Sequence, residues 1–192
     1  MSHVPFRVVK IGGSLLTFDL APQRILQWLE SQTPMPTVWI VGGGKLVDCV
    51  REWDKIHSID QETAHWMSID LMDFNGSLVY AWFPDWKVTC DLDQLETNEN
   101  ANAVFKPSTW LQENSSLLPK SWRVTSDSIA AEIANAIAAD ELVLMKSIDA
   151  PPHATIDSLV ESETVDSHFP QAYKSNLLRI VNLNSMNECV VE

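Results

Sequence analysis

The chain opens with a short apolar stretch, Phe6–Ile11, whose only polar members are Arg7 and Lys10 and which runs straight into Gly12-Gly13. A β-branched run closed by glycine predicts a buried strand and a tight turn. Asp19–Glu30 follows with Leu20, Ile25, Leu26 and Leu29 on one side and Pro22 in its first turn, the pattern of an amphipathic helix. Thr37–Val41 is a second strand, closed by Gly42-Gly43-Gly44, and Lys45 to about Ser58 is a second helix with Leu46, Val50 and Trp53 as its core face. Strand, glycine turn and helix, twice over, predict a parallel sheet with helical crossovers.

Further along, Asp60–Trp82 reads as a long helix with Trp66, Ile69, Phe74 and Leu78 among its apolar residues. From Pro84 to Ser121 the pattern weakens, and a short strand at Ala103–Lys106 stands in what otherwise reads as loop. Ser126–Ala139 predicts a helix whose buried stripe is Ala130, Ile133, Ala134, Ile137 and Ala138. Glu141–Met145 is another buried strand, Pro151-Pro152 breaks the chain, and a last strand falls at Leu178–Val181. No composition shift divides the chain. The expected fold is one α/β domain over residues 1–192, a three-layer α/β/α sandwich around a mainly parallel central sheet.

Composition narrows the function classes. Of the 192 residues, 26 are acidic and 13 basic, for a formal net charge of −13. That balance argues against a nucleic-acid binder and against docking on anionic lipid. Local lysines and backbone amides can still hold an anion in an acidic protein. No apolar run reaches the roughly 20 residues of a membrane span. Cys49, Cys90 and Cys189 lie far apart, which suits reduced thiols and a cytoplasmic protein. The histidines lack zinc-site spacing, so no structural metal is expected. Eight tryptophans against two tyrosines is an unusual ratio; most are expected in the core.

The chemistry is expected at the two glycine junctions, Lys10-Ile11-Gly12-Gly13-Ser14 and Gly42-Gly43-Gly44-Lys45. Glycine at a strand end lets backbone amides approach an anion, and a following helix N-terminus adds positive potential. In an α/β sheet, ligands bind outside the carboxyl ends of the strands, where both junctions lie. Neither is a standard phosphate loop. A Walker loop would need glycine where Trp39 stands and Ser or Thr where Leu46 stands, and a dinucleotide fingerprint would need glycine at Val47. No nucleophile–base pair is legible either.

Three blocks, Val8–Leu16, Val41–Asp54 and Val124–Asp149, taken in this order, resemble the amino acid kinase superfamily, which includes acetylglutamate, aspartate, carbamate and uridylate kinases. The segments Ala64–Asp73 and Trp122–Ala134 are most similar to its small kinases of methanofuran biosynthesis. The resemblance implies ATP-dependent phosphorylation of an aminomethyl-furan-methyl phosphate, with Mg2+ accompanying ATP. It also implies a homo-oligomer without nucleic-acid or membrane partners. Lys10 is implied to sit on the transferred phosphoryl group and Asp127 to orient the catalytic lysines. Gly12, Gly13 and Ser14 would serve the ATP phosphates, with Lys146, Ser147 and Asp149 lining the nucleotide site. Gly42, Gly43, Gly44 and Lys45 would face the acceptor, in a pocket that His65, Trp66 and Asp73 could shape. The acceptor half is expected at about 1–120 and a shortened nucleotide half at about 121–186.

The sequence departs from the family where a Thr-Asp pair and a glycine are replaced in Lys146–Ala150, and the later lysine motif has no clear match. Lys146 or Lys174 would take that lysine's place. Two other readings stay open: a uridylate or amino-acid kinase relative, and a family member that binds a ligand or partner without catalysis.

Overall fold

The computed structural model describes residues 5–174 and 176–191. Its strands are β1 (Arg7–Ile11), β2 (Thr37–Val41), β3 (Lys87–Thr89), β4 (Asn102–Phe105), β5 (Glu141–Lys146), β6 (Leu177–Asn182) and β7 (Asn187–Val190). They form one sheet in the order β3-β4-β2-β1-β5-β6-β7, parallel except for the β6–β7 hairpin at one edge. The helices are α1 (Ala21–Glu30), α2 (Gly44–His57), α3 (Gln61–Trp82), α4 (Pro107–Glu113), α5 (Ser126–Ala136), α6 (Ile156–Glu161) and α7 (Phe169–Ala172).

Every residue of β1 and β2 is buried, as expected of strands covered on both faces. Alternation along the strands sends Val8, Ile40, Leu142 and Leu144 to one face, where α5, the first half of α3 and Phe169 of α7 pack. Val9, Ile11, Trp39, Val143 and Met145 go to the other, against α1 and the end of α3. This is the three-layer sandwich anticipated from the sequence. The chain order places β2 on one side of β1 and β5 on the other, so the connections diverge at β1. Such a switch point opens a crevice at the carboxyl ends of the strands.

Several expectations need correction. In α1 the core positions are Ala21, Ile25 and Trp28, while Leu20 and Leu26 are exposed. In α2 only Val47 and Val50 are buried, and Leu46 and Trp53 face outwards. Phe74 of α3 is 65% exposed, and its buried positions include Ile69, Met72, Asn75 and Val79. In each helix, apolar residues lie outside the stripe that meets the sheet. Residues 84–121 hold the expected strand as β4 and, beyond expectation, β3 and α4, the last opened by Pro107 at its first turn.

Helix α5 stops at Ala136, short of Ala139, because Ala138 takes a left-handed conformation (φ 49°) and the Ala139 amide bonds back to the Ala134 carbonyl. The last strand extends to Leu177–Asn182 and turns back as β7. Of the eight tryptophans, only Trp28 and Trp39 are fully enclosed; Trp53 is exposed and the rest are half-buried. Trp39 stacks on Trp86 with ring centres 4.6 Å apart and meets Trp28 edge-on.

Candidate active site

The two glycine turns meet backbone to backbone at the carboxyl ends of β1 and β2. A Cβ on Gly13 would lie 2.1 Å from the Gly44 nitrogen, and one on Gly44, whose φ is +52°, would lie 2.4 Å from the Gly13 oxygen. Only glycine fits either position. The turns are anchored by the Gly12 amide to the Met145 carbonyl and the Gly42 amide to the Ile11 carbonyl. Asn75, buried on α3, donates to the carbonyls of Gly42 and Gly43 at 2.8 and 2.9 Å. Sequence reasoning missed Asn75, because nothing local marks a polar residue that serves a turn 32 residues away.

Beside these turns stands a charged cluster. Lys10 shares the orientation of Val8, and Lys146 that of Leu142 and Leu144, so both lysines point toward α5. The Asp127 carboxylate, in the first turn of α5, receives Lys10 Nζ at 2.9 Å and Lys146 Nζ at 2.8 Å on both oxygens. Asp127 and Lys10 are buried, and the Lys146 side chain is only 12% exposed.

Burial alone would raise the Asp127 pKa, but the two ammonium groups outweigh it and bring it to about 2. Burial dominates at Lys146 and, with help from Lys10, brings it down to about 8 against the pull of Asp127. Two cations on one carboxylate leave a unit of positive charge in excess, a site poised for an anion.

Two cavities open here, one against the glycine turns and one against the cluster. One, of about 210 Å³, is lined by Gly13, Ser14, Gly43, Gly44, His65 and Trp122 among others. The second, of about 530 Å³, is lined by Asp127, Lys146, Thr125, Arg123 and Asp166 among others. Arg51 and Trp122 line both, and form the wall between them. The Arg51 guanidinium lies over the Trp122 ring at 5.1 Å and bonds Asp48, while Trp122 donates to Asp54 at 2.8 Å. Arg51 and Trp122 were not singled out from the sequence.

The remaining candidates divide. Ser14 and Ser147 are joined hydroxyl to hydroxyl at 3.2 Å. Asp149 instead accepts from Asn182, Ser185 and Asn187, tying down the β6–β7 hairpin. His65 lines the smaller cavity, and burial and Lys120 lower its pKa. Trp66 does not line that cavity: its ring lies edge-on to His65 and under Lys120. Asp73 lies away from it as well, accepting from the Ser108 amide at the start of α4, and burial pushes its carboxyl up. Neither Trp66 nor Asp73, expected to shape a pocket with His65, lines this cavity, whereas Arg51 and Trp122 do. Lys45 is exposed on the first turn of α2. Lys174 is exposed just before β6, at the opposite end of the sheet from the cluster.

A mainly parallel sheet with two glycine turns beside a lysine–aspartate–lysine cluster defines an α/β protein with excess positive charge at its strand ends. The chain belongs to the amino acid kinase family, whose profile matches residues 5–150.

It is 31% identical over 146 residues to the [5-(aminomethyl)furan-3-yl]methyl phosphate kinase of Methanocaldococcus jannaschii. That match covers 74% of this chain and 66% of the relative, so the chain spans just under two thirds of that protein's length. Among solved structures, the uridylate kinase of Archaeoglobus fulgidus superimposes with a TM-score of 0.65 at 17% identity, over 96% of this chain and 97% of that one. The UMP kinase of Ureaplasma parvum gives 0.64 at 14% identity over the whole of both chains. The aspartate kinase of Synechocystis gives 0.64 at 13%, over 97% of this chain and 40% of that one. At these identities the likeness is one of fold.

Proposed function

We propose that the protein is an ATP-dependent small-molecule kinase whose acceptor is a phosphomonoester, of the kind named for the Methanocaldococcus jannaschii relative. The observation that carries this reading is the single carboxylate, Asp127, holding two buried lysines at one cavity while the glycine turns beside them line another. The smaller cavity takes the acceptor, and the nucleotide approaches from the side of Lys146, with the acceptor half at about 1–120 and the nucleotide half at about 121–186.

In the reaction a terminal phosphate oxygen of the acceptor attacks the γ-phosphorus of ATP. A new P–O bond forms as the bond to the β-phosphate oxygen breaks, and ADP leaves. The attacking oxygen is already anionic, so no general base is required, and positioning with charge neutralisation supplies the catalysis. Lys10 and Lys146 hold the γ-phosphoryl oxygens from two sides, and Asp127 fixes both ammonium groups. Backbone amides of the glycine turns and the Ser14 hydroxyl bind phosphate oxygens, and Arg51 neutralises the acceptor phosphate.

No group of three His, Cys, Asp or Glu among the described residues converges as a metal site. Asp127 is committed to lysines, so Mg2+ fits as an ion carried on the nucleotide phosphates and water, where it adds charge neutralisation. The free thiols and the lack of a helix long and apolar enough to span a membrane, among the described residues, suit a cytoplasmic enzyme. Exposed Trp53, Ile56 and Phe74 on α2 and α3 support self-association.

The test is ADP release with ATP, Mg2+ and the aminomethyl-furan-methyl phosphate, for the native chain and for Lys10→Ala. Turnover falling by about 10³-fold or more on substitution, with an unchanged circular dichroism spectrum, is the expected result. Turnover of UMP or acetylglutamate instead of the furan phosphate would replace the acceptor assignment. No binding of magnesium-ATP at millimolar concentration would replace the kinase reading with a non-catalytic one.

A further inference from the structure

Asp127 can bridge two lysines only if the first turn of α5 is held at one height and one rotation. The residue preceding that turn, Thr125, makes no side-chain bond to the free amides of the helix. An uncapped helix start loses the partner that one or more of its amides require. The cap comes instead from Asp166, in the segment between α6 and α7. One of its carboxylate oxygens accepts from the Thr125 amide at 3.0 Å, the Thr125 hydroxyl at 2.8 Å and the Ser128 amide at 3.1 Å. The other accepts from the Ser128 hydroxyl at 2.6 Å and the His168 amide at 3.1 Å. Four of these five donors come from Thr125 and Ser128, on either side of Asp127, and Ser128 is completely buried. Asp166 also lines the larger cavity with Asp127 and Lys146.

We propose that Asp166 is a positioning residue of the phosphoryl-transfer centre, clamping the start of α5 so that Asp127 stays seated between Lys10 and Lys146. This rests on the reading of that cluster as the reaction centre. Its physical content is that a helix N-terminus and the α6–α7 segment move as one body, so the distal segment sets the lysine spacing. Asp166 touches neither lysine, so its removal acts through Asp127. Once the carboxylate slips, Lys146 loses its two-oxygen contact and keeps its burial and its repulsion from Lys10, while Arg51, Arg123 and Glu163 remain around the same cavity.

The experiment is Asp166→Asn, which keeps the shape but presents an amide group to donors. Two quantities are read: the titration of the Lys146 side chain by nuclear magnetic resonance without substrate, and kcat with KM for the acceptor. The expected result is a lower Lys146 midpoint and a kcat reduced about 10- to 100-fold, the range for residues that orient a reacting group, with acceptor KM little changed. Thr125→Val and Ser128→Ala each remove one hydroxyl donor, and each should move the same two readings in the same direction by a smaller factor. They carry the test if Asp166→Asn does not fold. A reduced melting temperature with an unmoved Lys146 titration and an unmoved kcat would overturn the proposal and leave Asp166 a helix cap only. If the native chain phosphorylates no acceptor, the kinase reading fails, while the titration still decides whether Asp166 positions Asp127.

Discussion

Two carboxylates in this molecule each hold two cations, at opposite ends and on opposite faces of the sheet. At the amino-terminal end of the strands, Glu141 of β5 is gripped by Arg7 of β1 and Arg179 of β6. At the carboxyl end, Asp127 is gripped by Lys10 of β1 and Lys146 of β5. The first cluster is closed. Arg179 also bonds Glu188 and Gln32, and Trp28 lies against both guanidinium groups at 5.5 and 5.6 Å while donating to Glu188. Its two arginines face two glutamates, so its charge is balanced, and arginine stays charged at any pH the fold survives. The second uses lysines, carries excess positive charge and opens onto a cavity. The same motif is thus balanced in charge at one end of the sheet and left one anion short at the other, where the proposed chemistry lies.

The sharpest way to break the comparison is to neutralise the open cluster. Lys146→Met keeps the length and apolar stem but removes the charge. In steady-state assays kcat should fall by roughly 10²–10³-fold, the scale for losing one charge-stabilising donor, with a melting temperature that holds or rises. The rise follows from burial: Lys146 is charged at a cost, since its pKa is lowered to about 8 from 10.5. The unfolded chain therefore binds more protons between those values, and this residue's contribution makes the native protein more stable as pH rises from 8 to 10.5. In the proposed reaction activity runs the other way, because there the charged ammonium is the form that holds the phosphoryl oxygens. The kcat/KM profile, which reports the groups of the free enzyme, should decline as pH rises through about 8, and in Lys146→Met that limb should vanish. Asp127 has the opposite sign: its pKa is lowered to about 2 from 3.8, so its stabilisation is present above 3.8 and is lost as pH falls toward 2.

At the closed cluster the pattern should invert. Glu141→Gln leaves Arg7 and Arg179 side by side with half their neutralisation gone. Breaking a buried pair in this way costs about 3–5 kcal/mol, to be read as a lower midpoint in urea. In the protein that remains folded, kcat should stay within about twofold of native. A large loss of kcat at unchanged stability would show that the two ends of the sheet are coupled, and the division drawn between them would fail.

How far each cluster could be read from sequence follows from how local its parts are. β1, β2 and β5 declare themselves as apolar runs because both faces are buried, and Lys10 and Asp127 emerge from the motif order. Lys146 was legible as a lysine ending a strand, though that it bonds Asp127, with Lys174 at the opposite end, required the sheet. Asp166, Asn75, Arg51 and Trp122 gave no local signal, since their meaning lies in contacts dozens of residues away. The same limit hid β3 and β7. β3 is three residues long, and β7 is a polar edge strand that lacks the buried alternation by which strands are recognised. The helix faces of α1, α2 and α3 were misassigned because their apolar residues exceed the stripe that meets the sheet.

The smallest expected effect tests what closes the structural cluster. Trp28 contributes two things there, a ring face to Arg7 and Arg179 and an indole donor to Glu188 at 3.3 Å. Trp28→Phe keeps a ring and removes the donor, leaving Glu188 still bonded by Arg179. The loss of one hydrogen bond to a charged acceptor, together with a smaller ring, is worth about 1–2 kcal/mol. Trp28→Leu keeps bulk but removes both contributions, so its cost should exceed that of Phe by about another 0.5–1 kcal/mol if the guanidinium–ring contacts matter. Urea midpoints of the two variants separate the contributions. Equal destabilisation would mean that Trp28 acts only by filling space between α1 and the sheet, and that the arginines are held by carboxylates alone.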